Sequence, residues 1–589
     1  MTKARELDPI TIEVLKNALV SAADEMSATL VRTSFNPILY ELYDFCNGLF
    51  TKKSELIAEG FGVVSFQGTT STGIKAVIDH AGGEDMIEEG DVFMACWSFM
   101  VGSHQPDVLI MKPIFYKKEL IGYAANKAHW LDVAAAEPFG VRSIDMWQEG
   151  VIYPGVRIVK RGVMQEDILD IVRHNTRLPD GTIGDLTAQI AACEAGEKRL
   201  IALIEKYGKD TIDGAIEAIM DQGETFMRKA ISEIPDGVYH GEAWMDHNGF
   251  TDDPLKIVAT ITVKGDEITI DTTGSSPQQR APTNCPYASS VAFCRLALKM
   301  MVDPLTRSNE GHWRPMHVII PPGTILNPVP PAPTWLWGWV GTPLGESLFG
   351  ALAKALPERV VARSGGDMCV GGALYGMNPK DGHYFLALFP GTPVGQGASV
   401  ASDGGDALMV WAVSGIEAAS IEIFEERNPL LIEKWALRQN SKGPGKFSGG
   451  LGVERVSRAL VDGLVCGIVE QTKFPAWGLF GGKSGLPNVG ILWPGTEKEM
   501  KFGKITDIPF KAGEQFAVLS GGGGGWGDPF ERDPQTVLRD VVKEYISLDR
   551  AREDYGVIIR EQDGEYILDE VETGKLRKQQ YHSDRSHRD

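Results

Sequence analysis

The chain has 589 residues, of which 43% are hydrophobic and 23% are charged, and its formal net charge is −21. This length exceeds what a single hydrophobic core fills, so we expect two or three structural units. The negative charge argues against nucleic acid and anionic membranes as partners, because a phosphate surface requires basic patches.

The lack of a recognisable targeting signal and the scattered cysteines lead us to expect a cytoplasmic protein. No apolar run follows the basic residues of the opening segment, MTKARELDPITIEV, as it would in a secretory signal. No stretch is uninterruptedly apolar over the length that a membrane helix requires. The seven cysteines are scattered without a CxxC pair, which is typical of reduced thiols in the cytoplasm.

The first part of the chain is predicted to contain a long helix followed by two hairpins. Apolar residues recur at helical spacing from Pro9 onward, and Asp8 can cap the helix that they predict. The stretch YDFCNGLFTKKSELIAEG alternates like a hairpin. Two further apolar strands, DVLIMKPIFY and ELIGYAA, flank a turn at Lys117 and Lys118 and are predicted to pair.

Changes of period along the chain predict a mixed α+β fold built from several units. An N-terminal mixed region precedes a helical segment, a long β-rich region with glycine turns, and a helical end with a polar tail. Within the β-rich region, helices are predicted near residues 287–302 and 344–356. The predicted boundaries are 1–162, 163–237, 238–530 and 531–589.

His104, Asp107 and His129 are the strongest candidates for chemistry. His104 and Asp107 lie at the start of one predicted strand and His129 at the end of the next, so pairing would bring them together. Imidazole and carboxylate groups that converge from rigid elements can bind a divalent metal ion. Asp44 could supply a fourth oxygen ligand, and Asp132 could hydrogen-bond to a ligand imidazole. Spacing alone leaves open the alternative that these histidines are structural.

Two glycine-rich stretches raise the question of nucleotide or anion binding. SGGGGGWGD, residues 520–528, lacks the GK[ST] ending of a phosphate loop, so close backbone packing or a tight turn is favoured. SKGPGKFSGGLGVERV, residues 441–456, could bind an anion through main-chain N–H groups, although a twisted hairpin is the favoured interpretation. No other nucleotide-binding motif is present in the sequence.

Trp335, Trp337 and Trp339 occupy alternate positions in TWLWGWVG. A strand over this segment would point all three indoles to one face. That face would be either a core or subunit interface, which is favoured, or the apolar wall of a substrate pocket.

Several stretches together resemble the B-type subunits of the hydantoinase/oxoprolinase family. They include DPITIEVLKNALVSAADEM, GSHQPDVLIMKPIFY, AANKAHWLDV, NPLLIEKWALRQNSKGPGKFSGGLGVERV and GGGGGWGDPFERDPQTVLRDV, so the resemblance covers nearly the whole chain. The last two are the most specific, because unusual glycines and charges fall in the family's order.

This resemblance implies an enzyme subunit that is active only with a partner. B-type subunits work with an A-type subunit that carries an actin-like ATP site, so we expect a hetero-oligomer with two or more copies. ATP and magnesium would be bound by that partner. The family's metal site carries over to Asp44, His104, Asp107 and His129, with zinc or manganese as the expected ion. No catalytic residue is assigned.

The sequence departs from the family's common pattern around the candidate site. ACWSFMVGSH stands where an NDP…GGTH lead-in is common, Trp130 replaces the second histidine of HHAD, and Ala134 and Ala135 replace a diglycine. The HQPD form, with Gln105, is closer to the ketone carboxylases than the commoner HLPD. These changes predict a more apolar pocket.

We therefore expect a subunit of an ATP-dependent ketone carboxylase. The partner would activate bicarbonate and phosphorylate the enol of a small acetone- or acetophenone-like ketone. One alternative is a subunit of an ATP-dependent cyclic amide hydrolase acting on hydantoins, oxoproline or lactams. The other is a non-catalytic scaffold with a structural metal. All three alternatives use the same metal ligands. Only the pocket lining favours the carboxylase, and its candidate residues are Trp130, Trp335, Trp337 and Trp339.

Overall fold

A computed structural model describes residues 7–368, 371–388 and 392–586. The chain forms two compact units. The first is built from the chain up to residue 351 with two later segments, 375–386 and 412–424, and the second is built from the remaining residues. The four-part division made from the sequence follows changes of secondary structure and stays a prediction.

The first unit contains nine helices and eleven strands among its described residues. The helices are α1 (Pro9–Thr33), α2 (Pro37–Tyr40), α3 (Val64–Ala81), α4 (Ser98–Val101), α5 (Glu166–His174), α6 (Pro179–Tyr207), α7 (Lys209–Ser232), α8 (Tyr287–Val302) and α9 (Trp337–Leu352). The strands are β1 (Phe45–Thr51), β2 (Leu56–Glu59), β3 (Val92–Ala95), β4 (Asp107–Tyr116), β5 (Glu119–His129), β6 (Pro154–Lys160), β7 (Val163–Met164), β8 (Gly237–Met245), β9 (Leu255–Lys264), β10 (Glu267–Asp271) and β11 (Met316–Ile319).

A seven-stranded antiparallel sheet organises this unit, with the strand order β2-β1-β5-β4-β3-β6-β7. Successive residues of a strand face opposite sides, so each strand contributes to two cores. Leu109 and Met111 of β4 pack with Ile74 and Val77 of α3 in a buried cluster on one face. On the other face, Gln189 of α6 bonds to β4 and β5. The central strands are therefore buried on both sides.

The rest of the first unit consists of a smaller sheet with the order β11-β10-β9-β8 and the helices around it. Strand β10 pairs antiparallel with β9 and parallel with β11. Helix α8 contacts α3, and α7 contacts β10 and α8. Three elements lie where the chain passes between the segments of the two units. They are β12 (Gly371–Met377), β13 (Tyr384–Leu388) and α10 (Ile421–Arg427).

The second unit contains a five-stranded antiparallel sheet, a separate antiparallel pair of strands, a β-hairpin and three helices. The elements are β14 (Leu430–Leu437), β15 (Val453–Ala459), β16 (Gly463–Ile468), β17 (Val489–Leu492), β18 (Met500–Phe502), β19 (Lys504–Phe510), β20 (Gln515–Leu519), α11 (Pro534–Val542), α12 (Leu548–Tyr555), β21 (Ile559–Gln562), β22 (Glu565–Leu568) and α13 (Glu570–Ser586). The five-stranded sheet has the order β14-β15-β20-β17-β18.

The five-glycine run Gly521–Gly525 packs backbone against backbone within the second unit. The Gly523 N–H donates to the Gly450 carbonyl at 3.0 Å, and the Gly523 carbonyl accepts from the Gly443 N–H at 2.8 Å. The N–H of Gly450 in turn donates to the Gln396 carbonyl. The N–H groups of Gly443, Gly450 and Gly523 are thus bonded to carbonyls, which supports close packing as the structural role of both glycine-rich stretches. The twisted hairpin favoured for residues 441–456 does not form, because no strand begins before Val453 in this stretch.

Most elements agree with the sequence analysis. The capped first helix, both N-terminal hairpins, the three helices of residues 163–237 and the helix at 287–302 are confirmed. The predicted polar tail differs, because α13 runs through Ser586. None of the described helices is both long and apolar enough to span a bilayer. The six cysteines in the described residues are buried and form no disulfide with one another, while Cys369 lies outside those residues.

Asp185 of α6 gives a testable pH dependence. Its buried carboxylate accepts the Phe35 N–H at 2.7 Å and the Asn36 N–H at 3.2 Å, both on Oδ1. Burial raises the pKa of Asp185 to about 6, against the two N–H bonds, which lower it. The folded state therefore retains the proton between about pH 4 and 6, and stability falls across this window as pH rises.

Asparagine at this position keeps the accepting oxygen and carries no charge. Asp185→Asn is therefore expected to match the wild type near pH 4 and to be more stable above pH 6, by up to about 3 kcal/mol. Unfolding curves recorded from pH 4 to 8 measure the difference. An unchanged difference between the two proteins at all pH values would refute this assignment.

Candidate metal centre

Strands β4 and β5 bring Asp107 and His129 together. Asp107 begins β4 and His129 ends β5, and the two residues are directly opposite each other in the antiparallel register. The turn at Lys117 and Lys118 joins the far ends of the strands. Because directly opposed residues share one face of a sheet, both side chains lie on the side that α3 covers.

A tight turn adds His104 to this pair. Helix α4 ends at Gly102, whose φ of 87° is in the left-handed region and where a Cβ would press on Thr69 and Ala288. Glycine is suited to such a position because it has no Cβ. Two residues later the His104 carbonyl accepts the Asp107 N–H at 3.0 Å. The imidazole of His104 is thereby placed next to the Asp107 carboxylate.

The three side chains form a compact triangle of donor atoms. Asp107 Oδ1 lies 3.2 Å from His104 Nε2 and 3.0 Å from His129 Nδ1, and the two nitrogens are 3.2 Å apart. Ligand bonds of about 2.0–2.2 Å separate neighbouring donor atoms by about 2.8–3.1 Å at octahedral angles and about 3.3–3.6 Å at tetrahedral angles. The triangle therefore has the size of one face of a metal coordination shell.

The hydrogen bonds around the triangle also suit a metal ion. His104 Nδ1 lies 3.0 Å from the Trp335 carbonyl. A carbonyl only accepts, so Nδ1 carries a proton and Nε2 is the ring nitrogen that faces the cluster. Asp107 Oδ2 is buried and has no hydrogen-bond partner among the described residues. Two imidazoles and a carboxylate with an unbonded oxygen are donors that zinc and manganese both accept.

The electrostatics of the cluster hold Asp107 ionised. Burial raises the pKa of Asp107, but the neighbouring imidazoles of His104 and His129 outweigh it, so the pKa is below its ordinary range. Burial lowers the pKa of His129, and the bond to Asp107 with the Asp44 charge more than offsets that, so the pKa is raised. A cation bound here would take the place of the proton of His129.

Asp44 takes part through its main chain. It lies one residue before β1, and its carbonyl accepts the His129 N–H at 3.1 Å. Desolvation raises the pKa of its carboxyl to about 7, with His129 opposing and Asp107 adding to the shift. The carboxylate is not among the donor atoms that lie within 4.8 Å of one another. Its role as a fourth ligand stays a prediction.

Asp132 and Trp130, both predicted near the metal, have other contacts in the structure. The Asp132 carboxylate binds the guanidinium of Arg177 and accepts its main-chain N–H, with no bond to the three-residue cluster. The indole N–H of Trp130 donates to the Gln189 side chain at 2.8 Å, and the ring is buried against α6. Trp130 is adjacent to His129 in the chain and packs on the opposite face of the sheet, away from the cluster.

The tryptophan-rich segment is a loop and a helix start, so the strand considered for it does not form. Helix α9 begins at Trp337, seven residues before the predicted helix, and alternate residues of a helix point about 200° apart. The Trp335 and Trp337 rings nevertheless lie 4.9 and 6.2 Å from the His104 ring, centre to centre. Trp339 is buried within α9. Two of the three predicted indoles thus lie against the histidine.

Two buried ionisable residues near the cluster were not predicted from the sequence. Lys127, two residues before His129 on the same face of β5, donates to the Val101 carbonyl at 2.6 Å and to the Ser103 and Thr69 hydroxyls. Its burial lowers the pKa to about 8. Glu149 is buried beside the Trp335 main chain. Because alternate residues of a strand share a face, the position of His129 could have indicated that Lys127 lies on the same side. No local sequence pattern indicates that Glu149 lies near the site.

Comparison with known proteins extends this description to the whole chain. Residues 8–529 match the model of the hydantoinase B/oxoprolinase family. The chain is 32% identical to the B-type subunit of a putative D-/L-hydantoinase of Pseudomonas sp., over 98% of this chain and 99% of that protein.

Two solved structures have the same fold. The crystal structure of ATP-dependent caprolactamase from Pseudomonas jessenii matches with a TM-score of 0.90 and 30% identity, covering 98% of this chain and 100% of that one. Nucleotide-free acetone carboxylase also matches with a TM-score of 0.90, at 20% identity, covering 100% and 85%, which is a likeness in fold alone.

Fold and similarity together define the protein as an enzyme subunit. The chain belongs to the hydantoinase B/oxoprolinase family, as the sequence motifs indicated.

Proposed function

We propose that this chain is the metal-bearing subunit of an ATP-dependent complex that hydrolyses a cyclic amide together with an A-type partner. The observation that carries the metal centre is the triangle of His104, Asp107 and His129, whose donor atoms are 3.0–3.2 Å apart. Three protein donors leave a position for substrate or water, as catalytic sites do. A closed structural site, the scaffold alternative, would use four.

The chain's own residues would prepare the site in three ways. His104 and His129 would hold the ion through Nε2 and Nδ1, and Asp107 would add a negative charge that its neighbours keep ionised. The bound ion would supply Lewis-acid polarisation of a carbonyl or phosphoryl oxygen. The rings of Trp335 and Trp337 would exclude water from one side of His104, which protects an ATP-activated intermediate from premature hydrolysis.

The choice of cyclic amides rests on the degree of similarity. Relatives of at least 30% identity include a putative hydantoinase and a caprolactamase. Their names describe cyclic amides. The departures from the family pattern that favoured a ketone concern residues such as Trp130 and Gln105. Both of these are buried and bonded to Gln189 and the Met146 carbonyl, respectively. They therefore carry little information about the substrate.

A ketone carboxylase is the second candidate function. The observation that favours it is the pair of indoles of Trp335 and Trp337 against the His104 ring, which suits an aromatic or apolar ketone. An apolar lactam would fit the same surroundings, so the pocket lining does not outweigh the similarity. In the carboxylase, bicarbonate would be the second substrate and would be activated by the partner.

A substrate assay on the purified complex with its A-type partner separates the two candidates. ATP hydrolysis is expected to be stimulated by hydantoins or lactams, with ring-opened product formed and no label fixed from bicarbonate. Label fixed into a keto acid in the presence of an aromatic ketone would instead establish the carboxylase. The chain without partner serves as the control and is expected to turn over neither ATP nor substrate.

A further inference from the structure

Glu149 is a fully buried carboxylate that binds three donors from two segments of the chain. Its Oε1 accepts the Trp335 N–H at 2.7 Å, the Thr334 N–H at 2.9 Å and the Ser143 hydroxyl at 2.8 Å. A buried carboxylate with this many bonds fixes the groups that donate to it, because breaking any bond leaves an unpaired polar group. Glu149 thus anchors the loop that precedes α9.

Trp335 connects this anchor to His104. Its N–H is held by Glu149, and its carbonyl accepts the Nδ1–H of His104 at 3.0 Å. Its indole also packs on the His104 ring, with 4.9 Å between ring centres. The main chain of Trp335 is therefore fixed from one side by Glu149 while it orients the imidazole on the other side.

The segment that carries Glu149 approaches the site at two further points. Gly140 lies so close to the Trp335 ring that a Cβ there would be 3.2 Å from ring atoms. The Met146 carbonyl accepts from the Gln105 side chain at 2.9 Å, next to His104 in sequence. One segment, residues 140–149, therefore supports both Trp335 and the turn that carries His104.

We propose that Glu149 is a positioning residue that fixes the ring orientation and tautomer of His104 for metal binding. It acts through the peptide group of Trp335 and does not touch the ion. Hydrogen-bond partners of metal-bound histidines set which nitrogen is free and typically change metal affinity about 10–100-fold when removed. This inference rests on the proposed metal centre.

The test compares Co²⁺ binding and the visible Co²⁺ spectrum for variants of the full-length chain. Glu149→Met keeps the side-chain length and removes every acceptor, so affinity is expected to fall about tenfold with an altered spectrum. Glu149→Gln keeps an acceptor oxygen and is expected to retain affinity within about threefold. Asp185→Leu is the matched control, because it removes a buried carboxylate with two backbone N–H partners that has no bond to the cluster.

Equal loss of affinity in Asp185→Leu and Glu149→Met would overturn the inference, because the effect would then be general destabilisation. Wild-type affinity and spectrum in Glu149→Met would also overturn it. Should Glu149→Met fail to fold, Glu149→Asp, which withdraws the carboxylate by one methylene, is measured against the same expectation of weaker binding. A wild-type chain that binds no Co²⁺ contradicts the metal centre itself, which distinguishes the two failures.

Discussion

Replacing Asp107 by asparagine is expected to remove the divalent ion and to lower the activity of the complex by about a hundredfold or more. Asp107 Oδ1 contacts both histidines, and its carboxylate is the only anionic group among the three clustered donors. A neutral amide of the same shape retains the packing and loses the anionic ligand. Metal content by elemental analysis and ATP-dependent turnover, measured on the same preparation, test this.

Asp185→Asn is the matched control for this experiment. It is the same change at another buried aspartate of the first unit, and it should leave metal content and turnover unchanged. Activity that survives in Asp107→Asn would favour the scaffold alternative, in which the metal is structural. Loss of activity with the ion retained would show that Asp107 acts in chemistry and is not a required ligand.

Replacing Gly523 by alanine is expected to destabilise the second unit by about 3 kcal/mol or more. A Cβ at Gly523 would overlap the Gln396 carbonyl and press on the main-chain N of Gly397. These are backbone atoms, which cannot move aside as a flexible side chain can. Thermal or denaturant unfolding of the second unit measures the effect.

Gly574 provides the control for this glycine substitution. It lies in α13 of the same unit, and no atom lies within 4 Å of the Cβ position outside its own helix. Alanine there should be neutral or stabilise by up to about 1 kcal/mol, because it favours helix. Similar losses from both substitutions would contradict the close-packing role of Gly521–Gly525.

The proposed metal ligands on β4 and β5 were predictable because the information is local. Two apolar runs joined by a two-lysine turn predict a hairpin, and a hairpin places the start of one strand opposite the end of the next. Asp107 and His129 follow directly from that geometry. Successive residues of an extended chain point to opposite faces, so Trp130 points away from its neighbour His129. This rule would have removed Trp130 from the predicted pocket.

The surroundings of the cluster depend on contacts that are distant in sequence. Glu149 and Trp335 are 186 residues apart, and no local pattern predicts their bond. A strand was considered for the tryptophan segment because a short apolar run has no periodicity that separates a strand from a buried helix. Helix α9 contains Pro343, which also obscured its start. Local patterns therefore predicted that Asp107 and His129 lie together and failed for the more distant groups around them.

The most direct test is the metal content of the wild-type chain, purified with its A-type partner and dialysed extensively before elemental analysis. The proposed metal centre of His104, Asp107 and His129 predicts one zinc or manganese ion per chain. This ion should be lost together with activity on treatment with a strong chelator, and adding the ion back should restore activity. A complex that is fully active with no divalent ion bound to this chain would contradict the account.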